Sequence, residues 1–244
     1  MPVTNTTSGT RIDEIAEGIY RISTPVPPTA TDIPGGFTFN QFLVVDDAPL
    51  LFHTGMRSLF PLVREAVATV LAPERIRWLS YSHVEADENG ALEDWLAIAP
   101  EAQPLVGRMG AMLGESSRPA RALADGERLV LGRHEVTWFD APHLPHGWDC
   151  GFLGELTTGT LFCGDLFTQP GAEVAPVTDG DILGPSEAMR AGMDYYALGP
   201  TTAPSMEKLV AFAPRVLACM HGSSWRGDGA AMLAQLRDRL LASR

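Results

Sequence analysis

Four short apolar runs in this chain each end on a residue that binds cations, and this constrains the fold more than anything in its composition. IRWLSY runs into Ser82-His83-Val84-Glu85-Ala86-Asp87, WFDAP into His143 and His146, LFCG into Asp165, and VLACM into His221. Strand ends are where a rigid scaffold delivers side chains into a cleft. Asp165, deep in apolar sequence, needs a cation or several donors to stay ionised. In an extended stretch, alternation places His83, Glu85 and Asp87 on one side, with the small apolar Val84 and Ala86 on the other. Gly222, after His221, lets the backbone turn tightly beside a ligand. Each residue alone has an ordinary explanation, as a cap, a turn residue or a packed histidine. Together, four distant strand ends supplying histidine or carboxylate point to one pocket holding two metal ions.

The surrounding pattern predicts a mixed α/β architecture. Strands are expected at Gly18 to Ile22, Phe37 to Val45 and Pro49 to Phe52, with Asp46-Asp47 as the turn between the last two. Phe60, Val63, Val67 and Val70 recur at helical spacing, with Ser58 as the cap and Pro61 in the first turn. IRWLSY reads as a strand and ALEDWLAIA as a helix. After Gly126, four closely spaced segments, ERLVLG, HEVTWFDAP, CGFLGELTT and TLFCGD, read as hairpins of a second sheet. A helix near Ser205 to Phe212, a strand at Val216 to Cys219 and a helix through Met232, Leu233, Leu236 and Leu240 complete the tail. Residues 1–14 are expected to be a flexible N-terminus, and residues 171–204, rich in Gly, Pro and Ala, a long partly ordered loop over one end of the sheets.

At 244 residues, with 45% hydrophobic and 20% charged residues, the chain suits a single globular domain, 1–244. Its net charge of -12 disfavours nucleic acid and anionic membrane partners. No apolar run is long enough to cross a bilayer and the first residues lack a secretory pattern, so a cytoplasmic location is expected. Cys150, Cys163 and Cys219 form no CxxC pair and read as buried small hydrophobes. There is no Glu-x-x-His pair, P-loop or nucleophile elbow, and Gly227-Asp228-Gly229 lacks a dinucleotide context. Trp148, Tyr195, Ser224 and Trp225 are read first as packing residues.

These residues resemble the metallo-β-lactamase superfamily, and within it the diiron domain of flavodiiron proteins, over nearly the whole chain. The resemblance implies an αββα sandwich of two mixed sheets. Hydrolytic members carry His-x-His-x-Asp-His, whereas Glu85 at the second position is the mark of the flavodiiron branch. By that similarity one iron takes His83, Glu85 and His146, the other takes Asp87 and His221, and Asp165 bridges them. His146 is preferred because its 19-residue interval to Asp165 resembles the family spacing, with His143 as the fallback. Two departures stand out. The family has histidine directly after the Asp of the motif, where this chain has Glu88, so water or Glu88 is left to complete the second metal. The superfamily also tends to place Asp before Thr-Gly, where this chain has His53-Thr54-Gly55.

The cofactor implied is a pair of iron ions (Fe2+/Fe3+) with a bridging oxide, hydroxide or water. Carboxylate-rich nitrogen and oxygen sets suit iron or manganese, with zinc or manganese able to substitute. The resemblance further implies a protein that binds and reduces dioxygen or nitric oxide. No FMN is expected in this chain, so electrons would come from a separate flavoprotein or rubredoxin-like donor; a homodimer is compatible with the sequence. The competing readings are a metal-dependent hydrolase and a non-enzymatic oxygen or redox sensor.

Overall fold

The computed structural model describes residues 2–242. Eight strands form the first sheet in sequence order: β1 Val3–Asn5, β2 Thr10–Ala16, β3 Ile19–Val26, β4 Phe37–Val44, β5 Leu50–Phe52, β6 Trp78–Ser80, β7 Gln103–Gly107 and β8 Arg121–Leu123. Pairing is antiparallel through β5 and parallel from β5 to β8, so the sheet is mixed. Helices α1 Phe60–Ala68, α2 Ala86–Asn89, α3 Leu92–Ile98 and α4 Arg108–Leu113 lie between its later strands.

The second sheet contains β9 Arg128–Val130, β10 Glu135–Asp140, β11 Gly151–Glu155, β12 Thr160–Phe162, β13 Val177–Thr178, β14 Val216–Ala218 and β15 Ser224–Arg226, in the order β13-β15-β14-β12-β11-β10-β9. Its helices are α5 Leu183–Met193, α6 Thr202–Phe212 and α7 Gly229–Ala242. Strands β12 and β14 are parallel, so Asp165 and His221, a few residues beyond their C-terminal ends, emerge at the same edge.

Alternation along the strands builds three layers of core. Phe42, Val44, Leu50, Phe52, Leu153 and Phe162 meet between the sheets. Leu43 and Leu51 point outward, against Val63, Val67, Trp95 and Leu96 of α1 and α3. Phe152, Leu161 and Leu217 face Met206, Leu209, Leu233 and Leu236 of α6 and α7. Because both faces are covered, these strands read as continuous apolar runs rather than alternating ones. The expected sandwich of two mixed sheets with outer helices is what the chain forms.

Several local expectations are corrected. Most of the supposedly flexible N-terminus is strand: Val3 pairs with Arg11, and β2 pairs with β3 along its length. The segment 171–204 contains β13 and the eleven-residue α5. Only Leu183 and Ser186 of α5 are buried, so it has no apolar stripe for periodicity to detect. Ser58 does not cap α1; a short 3-10 turn at Arg57–Leu59 leads into the helix, and Leu59 occupies the cap without a side-chain bond. Cys150, Cys163 and Cys219 are free and buried, as expected.

Candidate metal centre

All six expected residues meet at one end of the sandwich. His83 lies three residues beyond β6, and Glu85 is extended, at φ -149 and ψ 154, at the start of α2. Asp87 is already in the first turn of α2, so the extended alternation stops at Glu85 and a helical turn delivers the third side chain. His146 comes from the loop between β10 and β11, while Asp165 and His221 follow the parallel strands β12 and β14. His143, the fallback, is exposed and has a positive φ of 67.

The side chains fall into two groups sharing Asp165. In the first, Nε2 of His83 lies 2.8 Å from Oε2 of Glu85 and 2.9 Å from Nε2 of His146. Asp165 Oδ2 is 3.5 Å from His146 Nε2 and 3.8 Å from His83 Nε2. Ligand atoms of these four residues all lie within 4.8 Å of one another. In the second, His221 Nε2 is 3.2 Å from Asp165 Oδ1 and 3.4 Å from Asp87 Oδ2. Each oxygen of Asp165 thus faces a different group.

Hydrogen bonding fixes which ring nitrogens face the cleft. His146 Nδ1 donates to the Tyr195 carbonyl at 3.0 Å, and His221 Nδ1 to the Thr38 carbonyl at 2.8 Å. A carbonyl only accepts, so these Nδ1 atoms carry protons. His83 Nδ1 faces Ser82 Oγ at 3.1 Å and Glu88 Oε1 at 3.3 Å. The Ser82 hydroxyl hydrogen is given to Glu88, so this Nδ1 donates as well. Three Nε2 lone pairs and three carboxylates therefore converge with no donor among them, an arrangement that only protons or metal cations relieve.

The electrostatics agree. Burial would lower the pKa of His221, but Asp165 and Asp87 overcome it and push the imidazole up to about 10. Burial likewise opposes the rise at His83, which Glu88 and Glu85 drive. His146 is raised by its hydrogen bond with Glu85, and Glu85 is held far below the usual carboxylate range by His146 and His83. Asp165 is lowered despite burial, through His221 and the charges of His83 and His146. The pocket thus holds positive charge strongly, and its mixed nitrogen and oxygen donors fit a pair of divalent metal ions.

Several contributors had little or no sequence signal. The Tyr195 and Thr38 carbonyls orient two imidazoles, and main-chain acceptors leave no mark on residue identity. Phe37 stacks on His221 with centroids 4.2 Å apart. Asp149 accepts from the Val84 amide at 2.8 Å, holding the chain between His83 and Glu85. Gly222, at φ +89, makes the expected turn, and a Cβ there would come within 2.6 Å of Gln169. Its amide donates to Thr38 Oγ at 2.8 Å. Tyr195 lines the cleft, Trp148 is exposed, and Trp225 packs in the core with its indole donating to Gly180. The cleft above the site has a volume of about 610 Å³ and apolar walls including Val26, Ile33, Phe37, Met56 and Met193.

Facing mixed sheets, outer helices and a ligand cluster at the strand ends define the α/β metallo-β-lactamase-type fold. Within that class, the relatives of this chain are flavodiiron proteins, and it corresponds to their diiron domain. It is 28% identical over 208 residues to rubredoxin-oxygen oxidoreductase of Megalodesulfovibrio gigas, covering 80% of this chain and 50% of that protein. It is 26% identical over 208 residues to nitric oxide reductase of Moorella thermoacetica, covering 79% of this chain and 51% of the relative. The metal-soaked Flv1 flavodiiron core from Synechocystis sp. PCC6803 superposes with a TM-score of 0.79 at 21% identity, over 96% of this chain and 61% of the other. The chain spans about half the length of these curated relatives. No family model matches it. Among the described residues, no helix is long and apolar enough to cross a membrane.

Proposed function

We propose that this chain binds two iron ions through His83, Glu85, Asp87, His146, Asp165 and His221, and binds and reduces dioxygen or nitric oxide with electrons from an external donor. The observation that carries the reading is Asp165. Its Oδ2 faces the His83 and His146 group while its Oδ1 faces His221, the disposition of a carboxylate shared by two cations. Glu85 favours redox chemistry over hydrolysis, since it adds a hard anionic donor where hydrolytic zinc sites lean on histidine. Iron bound there would supply the electrons and the Lewis acidity for reducing a diatomic oxidant.

The protein's own part is orientation and shielding. Backbone acceptors at Thr38 and Tyr195 lock His221 and His146 with Nε2 toward the cleft. Phe37 covers one face of His221, and the apolar wall formed with Met56 and Met193 limits water over the site. The named relatives reduce oxygen and nitric oxide, which supports the same substrate class here. A protein serving as electron donor, such as a flavoprotein or a rubredoxin, would complete the reaction.

The test is anaerobic reconstitution with Fe2+ followed by metal analysis, absorption spectroscopy, and oxygen and nitric oxide consumption with an artificial reductant. The expected result is two irons per chain, a near-ultraviolet ferric band on exposure to air, and consumption of at least one gas. A protein that takes up zinc, shows no such band and cleaves an ester or lactam would instead establish the hydrolase reading.

A further inference from the structure

The two departures from the family pattern touch each other. His53, just beyond β5, and Glu88, in α2, are both fully buried, with His53 Nε2 lying 3.5 Å from Glu88 Oε1. The two segments are also clamped through the backbone. The Thr54 amide donates to the Glu88 carbonyl at 2.7 Å, and the His53 amide to the Ser80 carbonyl at 2.8 Å. The pair thus sets one imidazole beside one carboxylate in a buried contact.

Glu88 is not turned toward the second group. Its oxygens accept from the amides of Ser82 and His83, both at 2.9 Å, and from the Ser82 hydroxyl at 2.6 and 2.7 Å, with His83 Nδ1 at 3.3 Å. A carboxylate has about four lone-pair sites, and these four groups fill them. Glu88 therefore acts on His83, a member of the first group. The second group is left with Asp87, His221 and its share of Asp165.

We infer that Glu88 is a positioning residue for His83, and that the two metal positions are consequently unequal, the first filling before and more tightly than the second. This rests on the two-metal reading above. A carboxylate behind a ligating imidazole fixes its tautomer and raises its basicity. The first position has two imidazoles, one of them reinforced this way, and two carboxylates; the second has one imidazole and two carboxylates.

The test is an anaerobic titration of the chelator-treated full chain with Co2+, followed by calorimetry and by the visible bands that report coordination. Wild type is expected to bind in two steps separated by about tenfold or more, the scale of outer-partner effects on metal affinity. Glu88→Gln keeps the shape and removes the charge; it is expected to weaken the first step by roughly 10–100-fold and to leave the second within about threefold. Glu88→His should lower thermal stability by opposing two buried imidazoles. One step of two indistinguishable equivalents in wild type, or equal weakening of both steps by Glu88→Gln, would overturn the inference while leaving the two-metal reading standing. Absence of Co2+ binding to wild type would overturn both.

Discussion

Removing metal should make this protein's stability fall as pH rises. Without a cation, the converging lone pairs are relieved only by protons, and His221 is the clearest carrier. Burial works against its charge, yet Asp165 at 3.2 Å and Asp87 at 3.4 Å lift its pKa from 6.5 to about 10. A base whose folded pKa is raised contributes stability that is complete below its unfolded value and disappears as pH rises through the folded one. Between about pH 6.5 and 10, the metal-free protein therefore loses up to about 1.4 kcal/mol per pH unit from this residue. For a chain of this size, that is roughly 3–5 °C of melting temperature per pH unit. His83 and His146 are raised too and act in the same direction. Glu85 and Asp165 are lowered, so their contributions are present above the ordinary carboxylate values and lost in acid. Metal-free protein should thus be most stable at mildly acidic pH. Bound metal takes the place of the protons, so the loaded protein should show no such alkaline decline. Thermal melts of chelator-treated and metal-loaded protein at fixed ionic strength test this. A melting temperature of the metal-free form that is flat or rising from about pH 7 to 9.5 would refute the reasoning.

Two further outcomes follow from the geometry. Asp165→Ala removes the carboxylate facing both groups and should abolish binding of both metals, whereas His143→Ala, at an exposed position, should retain both. Metal analysis of the purified variants distinguishes them, and loss of metal from the His143 variant would assign the ligand to His143 in place of His146. Gly151→Ala should destabilise the fold by about 1–3 kcal/mol, as overpacking does. A Cβ at that position falls 2.2 Å from the indole of the buried Trp138, and the glycine is wedged between that ring and the Phe139 carbonyl. Denaturant unfolding measures it, and an unchanged midpoint would show that the indole moves aside freely.

The sequence by itself determined the layered α/β architecture and marked the histidines and carboxylates that the structure brings together. Strands covered on both faces leave unbroken apolar runs, and most of the histidines and carboxylates just beyond those runs emerge at a common edge. Elements without such a signature were missed. The eleven-residue α5 buries only Leu183 and Ser186, and β8 is three residues held by the ladder beside β7. Tertiary structure alone decided the rest. Spacing favoured His146 over His143 only by resemblance, whereas loop geometry exposes His143 and turns the Nε2 of His146 into the cleft through a carbonyl 49 residues away. Likewise, nothing local announces that His53 and Glu88, on different elements, share a buried contact. Residue type fixes what a side chain can bind, whereas the direction of its lone pairs is set by backbone acceptors and neighbours that packing brings from distant parts of the chain.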